Sequence, residues 1–131
     1  MQTITEEDFV QYRAMREEIE VLKRQLREAR TKSVADTVRG SGKEYPYTEH
    51  TVTIVGYDER RAARLEERIR ELSATCEAID ALIQGLKRSS DRLILSMRYI
   101  EGRTWDEIGR TINLAGDTTR KRTGNILKKI L

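Results

Sequence analysis

The sequence predicts a mainly α-helical fold, with long heptad helices forming a coiled-coil stalk, a small β arm, and a C-terminal module of three short helices. Three observations carry that prediction. Apolar residues recur at spacings of three and four along two long stretches, as in helices that bury one stripe. Charged residues make up 36% of the 131 positions and aromatics 5%, too polar for a thick core and suited to solvated helices that bury a narrow seam. The basic residues gather at one end: Lys87 to Leu131 holds 11 basic and 5 acidic side chains, the rest of the chain 14 and 17. That layout is expected where only one end of a protein meets a polyanion.

The first helix is predicted over about 5–30. Thr3 or Thr5 can cap it, and Glu6, Glu7 and Asp8 place negative charge where a helix N-terminus favours it. Tyr12, Met15, Ile19, Leu22, Leu26 and Ala29 form its heptad stripe. A second stripe over about 58–87 is cleaner: Ala62, Leu65, Ile69, Leu72, Cys76, Ile79, Ile83 and Leu86 alternate by three and four. Two such helices can pair with each other as an antiparallel hairpin, or with copies in a second subunit. A homo-oligomer, dimer or tetramer, is therefore expected.

Between them, residues 31–57 read differently. Val34-Ala-Asp-Thr-Val38 and Thr51-Val-Thr-Ile-Val55 are β-branched, and Gly40-Ser-Gly42 and Pro46 punctuate the stretch. This predicts a β-hairpin or an extended arm. Tyr45, Tyr47 and Tyr57 suit packing on apolar surface. His50 has no second His, Cys or carboxylate cluster at ligand spacing, so no metal or catalytic role is expected for it.

The C-terminal region, 89–131, divides into three predicted helices. Ser89 or Ser90 can cap the first, which carries Leu93, Ile94, Met97 and Ile100 inward and stops at Gly102. Thr104-Trp-Asp-Glu107 is a capping box that starts the second helix, with Ile108 and Ile112 inward. Asn113-Leu114-Ala-Gly116 supplies a tight turn, Asn tolerating positive φ, and Asp117 can cap the last helix, in which Ile126, Leu127 and Ile130 face inward. A short helix, a tight turn with one buried apolar side chain and a basic second helix make a helix-turn-helix. The geometry requires a small residue where the helices cross, here Gly109, and a polar cationic outer face that can enter the major groove.

The candidate DNA-binding residues follow from that face. Arg120, Lys121 and Arg122 supply charge, Thr118 and Asn125 suit base edges, and Lys128, with Lys129, is placed for phosphates. Arg103 and Thr104 stand at a helix N-terminus, where free amides can bind phosphate. Trp105 is expected to pack on the module. A cationic cluster alone is most often a solvated face; its position after a capped helix and a turn favours DNA.

The stretch Leu95-Ser-Met-Arg-Tyr-Ile-Glu-Gly-Arg-Thr-Trp-Asp-Glu-Ile-Gly resembles region 4 of bacterial sigma factors, in the string leading into their promoter-recognition helix. Thr118-Thr-Arg-Lys-Arg and Ile126-Leu-Lys-Lys-Ile130 are similar to that helix and its closing string. The resemblance covers about Asp91 to Leu131, and no sigma region 2 precedes it. With the upstream coil and arm, the chain resembles the ArpU/RinA type of phage and prophage late-gene regulators. The resemblance implies a transcriptional regulator with double-stranded DNA as partner and RNA polymerase as a second candidate. A phage DNA-packaging recognition subunit of small-terminase type and a protein-only polymerase adaptor remain the alternatives. Thr119 and Thr123 depart from the Val and Leu common in such helices, and Gly124 follows them. A helix-interior glycine costs about 0.5–1 kcal/mol relative to alanine, so the last helix is expected to fray or kink there in the free protein.

Other classes are not expected. There is no nucleophile–base pair, carboxylate pair in an apolar setting or phosphate loop, so no enzyme and no cofactor are predicted. No apolar run approaches the roughly 18 residues that span a bilayer, and Met1 to Val10 is acidic, unlike a signal peptide. A lone Cys76 precludes an internal disulfide and fits a reducing cytoplasm.

Overall fold

The computed structural model describes residues 3–41 and 47–131, with side chains over 3–31 and 59–131. It is mainly helical: α1 (Glu6–Ser41), α2 (Tyr47–Gln84), α3 (Ser89–Leu95), a π-helical turn (Ser96–Ile100), α4 (Trp105–Ile112) and α5 (Gly116–Ile130). Among the described residues no helix is long and apolar enough to cross a membrane.

The β arm expected over 31–57 is corrected. Residues 31–41 continue α1 and 47–57 begin α2, and no strand occurs among the described residues. The β preference of Val and Thr reflects packing on a half-buried sheet rather than an intrinsic backbone demand. Helix already nucleated on either side adds one hydrogen bond for each further residue ordered, which carries it through such a segment. Residues 42–46, and the side chains of Tyr45, Tyr47, His50 and Tyr57, lie outside the described residues.

The chain divides into two compact units. The second, Glu18–Leu72, is built from the adjoining parts of α1 and α2. Ile19, Ala29, Ala62 and Leu72 are buried between them, as the heptad stripes predict. Arg68 reaches Glu18 at 3.5 Å and Arg30 pairs with Glu66, so the two helices run antiparallel and each is the other's partner within one chain.

The first unit, Met1–Glu17 with Ser73–Leu131, contains α3, the π turn, α4 and α5. Thr5 caps α1: its hydroxyl accepts from the Asp8 amide at 3.3 Å, and its own amide donates to the Asp8 carboxylate at 2.9 Å. Phe9, Tyr12, Cys76, Ile79 and Ile83 are buried where α1 meets α2. The Phe9 ring also meets Tyr99 of the π turn edge-on, with centroids 5.4 Å apart.

Two expectations about α3 change. Neither Ser89 nor Ser90 caps it; Arg88 holds the N-cap position with an extended backbone and no side-chain cap bond. Arg92 instead reaches back to the carbonyls of Leu86 and Lys87 and to the Ser89 hydroxyl, tying down the link from α2. The inward face is Ile94 and Leu95, both fully buried, while Leu93 and Ile100 are exposed. The π turn contributes to that shift at its end: the Glu101 amide bonds five residues back to Ser96, so Ile100 rotates away from the α-helical register.

Candidate nucleic-acid interface

Each local device that positions α4 and α5 has a sequence cause. Gly102, at φ 74°, breaks the π turn in the left-handed region that glycine enters without penalty, and the Arg103 amide closes on the Met97 carbonyl at 2.9 Å. Thr104 then starts α4 through the expected capping box. Its hydroxyl accepts from the Glu107 amide at 3.2 Å, while the Glu107 carboxylate accepts from the Thr104 amide at 3.1 Å. These bonds to Thr104, and then the Arg103 guanidinium, hold the Glu107 carboxyl below its usual range.

Asn113 ends α4 in the left-handed region, φ 61° and ψ 45°, and the Leu114 amide returns to the Gly109 carbonyl at 2.9 Å. Gly109 is required here: a Cβ on it would run into the Leu114 carbonyl and press on the Thr119 hydroxyl. Ala115, extended at φ −67° and ψ 151°, is the N-cap of α5, and Asp117 lies inside its first turn rather than capping it.

The helix α5 is continuous from Gly116 to Ile130, without the fraying or kink expected at Gly124. Its inner face is Thr119, Thr123, Ile126 and Leu127, all buried against α3 and α4 together with Ile108. Neither of the two threonines leaves its buried hydroxyl unpaired. Thr119 donates to the Ala115 carbonyl and Thr123 to the Thr119 carbonyl, each at 2.9 Å.

The outer face is exposed, and the candidate residues divide on it. Thr118, Lys121, Asn125 and Lys128 are all exposed and, spaced by three and four, form one stripe opposite the buried face. Arg120 is exposed on one flank. Arg122 is on the other flank and turns inward: its guanidinium lies 2.9 Å from Asp91 and donates to Ser90 Oγ at 2.9 Å. It holds α5 to α3, so the three cations taken together in the sequence are not equivalent.

Arg103 and Thr104 are exposed at the start of α4, yet already partnered. Arg103 pairs with Glu101 at 3.2 Å and Glu107 at 3.4 Å, and the Thr104 amide is taken by Glu107. A phosphate there would have to displace a carboxylate. Trp105 packs as expected, half-buried under Arg98, whose guanidinium carbon lies 4.1 Å from the ring centre. The sequence reading passed over Arg110, exposed in the last turn of α4 beside Thr111; a basic residue at the end of the helix before the turn was the available signal.

No known protein family, curated protein or solved structure matches this chain. What the face can do therefore rests on its own chemistry. Two exposed lysines alternating with a hydroxyl and an amide, on a helix braced from behind, offer charge for phosphates and donors and acceptors for base edges.

Proposed function

We propose that this chain is a transcriptional regulator that binds double-stranded DNA through a helix-turn-helix, with α5 entering the major groove. One observation carries the reading: the stripe Thr118–Lys121–Asn125–Lys128 is exposed on a 15-residue helix whose opposite face is fully committed to packing. A helix so braced can be held rigidly against a groove. Arg120 adds charge on one flank, and Lys128 and Lys129 in the last turn suit phosphates. The basic balance of residues 87–131 supports the same end of the chain meeting a polyanion.

On this reading the protein acts as a homo-oligomer, because paired modules read half-sites about one helical turn apart. The stripes of α1 and α2 pair within a chain at Ile19, Ala29, Ala62 and Leu72, while Leu22, Leu26, Leu65 and Ile69 stay half-buried. RNA polymerase is the protein partner the reading carries, through the sigma-like resemblance of residues 91–131.

Fluorescence-anisotropy titration against a mixed-sequence duplex at several salt concentrations tests the reading, with the light-scattering mass taken on the same sample. Micromolar or tighter binding that weakens steeply with salt is expected, with the mass of a dimer or tetramer. Each of Lys121→Ala and Lys128→Ala should reduce the slope of log affinity against log salt by about 0.9, one phosphate contact each. A ring of eight or more subunits would favour DNA packaging instead. No binding at low salt would assign the module to a protein partner.

A further inference from the structure

We infer that Gly124 is the point at which the backbone of α5 comes closest to bound DNA, and that its missing side chain sets how deeply the helix seats. The inference rests on the DNA-binding reading above and adds a positioning residue to it. The observation behind it is a glycine with no reason inside the chain. Gly102 has a positive φ, and a Cβ on Gly109 or Gly116 would strike Leu114 or Asp106. Gly124 has none of these: its φ is not positive, and a Cβ built on it meets nothing within 4 Å. It lies in the interior of a helix, where glycine is the least favourable residue after proline. Neither backbone conformation nor packing among the described residues calls for it.

Its neighbours indicate what the open space faces. Asp117, Lys121, Gly124 and Lys128 follow one another by four, three and four residues, so Gly124, itself half-buried, lies between two exposed lysines at the margin of the outer face of α5. The lysines attract the sugar–phosphate backbone, and the bare Cα between them lets a strand approach the helix more closely than any side chain would.

The substitution Gly124→Ala separates folding from binding, because the two should move in opposite directions. In the full-length chain it is expected to raise the midpoint of thermal unfolding, an alanine being favoured in a helix with room for its methyl. Affinity for the mixed-sequence duplex should fall by about 5- to 100-fold, the range that forcing a group into a close-packed contact entails. Gly124→Leu should lower affinity further while keeping the helix, and the salt dependence should stay that of the wild type. Wild-type binding with Gly124→Ala equal or tighter would overturn the inference and leave the DNA reading intact. No salt-sensitive binding by the wild type would overturn both.

Discussion

Arg122 and Asp91, 31 residues apart, face each other across α5 and α3, with the guanidinium nitrogen 2.9 Å from the carboxylate oxygen. Their side chains are 31% and 18% exposed, so solvent screens the pair only in part. The contact divides the basic cluster of α5 into a bracing residue and residues that face outward.

Replacing Arg122 should therefore act on stability rather than on the outer face. Arg122→Ala is expected to cost about 1–3 kcal/mol, because it strands a largely buried carboxylate and leaves Ser90 without its donor. A double-mutant cycle with Asp91→Ala in urea should show coupling of at least about 0.5 kcal/mol. With both proteins folded, Arg122→Ala should alter the salt slope of DNA binding less than Lys121→Ala does. An equal loss of slope would mean that the guanidinium leaves Asp91 for a phosphate.

Gly109→Ala should destabilise the junction of α4 and α5 by about 1–3 kcal/mol, since a backbone carbonyl cannot rotate out of the way as a side chain could. The measurement is the urea midpoint. An unchanged midpoint would mean that the turn at Asn113 and Leu114 relaxes freely.

Thr104→Ala removes the hydroxyl half of the capping box and should cost about 1 kcal/mol. The Glu107 half gives a pH dependence. Its carboxyl is depressed in the folded protein, so its contribution is present above the unfolded value, about pH 4.3, and is lost as pH falls through the folded one. The stability gap between wild type and Glu107→Gln should accordingly narrow in acid. A constant gap from pH 6 to pH 3 would count against the carboxylate as a cap.

At alkaline pH the base of α1 responds. Burial, and then the bond to Asp80 at 2.7 Å, push the Tyr12 phenol up; burial does the same for Tyr99, and for the Cys76 thiol. Groups raised on folding stabilise below their unfolded values and lose that contribution as pH rises through the folded ones, so stability should fall above about pH 10 for the tyrosines and from somewhat lower for Cys76. At pH 7, Tyr12→Phe should cost about 0.5–1.5 kcal/mol for the lost hydrogen bond, and its deficit should shrink as pH climbs past 10. A deficit that stays constant to pH 11 would show that Tyr12 ionises as freely folded as unfolded.

Much of this arrangement was legible beforehand. The heptad stripes named the residues buried between α1 and α2 except Phe9, and the box Thr104–Glu107, the left-handed Asn113, the stop at Gly102 and the small Gly109 all stand where the spacing put them. Each of these depends on residues within a turn or two of one another, which is the range over which sequence pattern speaks. Expectations at the range of single residues fared less evenly. Ser90 read as a cap and proved to be the acceptor for Arg122, while Leu93 and Ile100 read as core and face outward. Over 31–41 and 47–57, helix propagating from the flanking stretches outweighed the β preference of Val and Thr on which the expected arm rested.

The sequence by itself determined the heptad helices, the caps at Thr5 and Thr104 and the outward polarity of α5, because periodicity, capping and turn chemistry are local. Only the tertiary structure decided that α1 and α2 take each other as partners, that a π turn sets Ile100 outside, and that Arg122 is spent on Asp91 while Lys121 is free of any such inward duty. The reason is physical: a long cationic side chain reaches in several directions, and which of them holds a carboxylate is set by a helix packed beside it from 31 residues away.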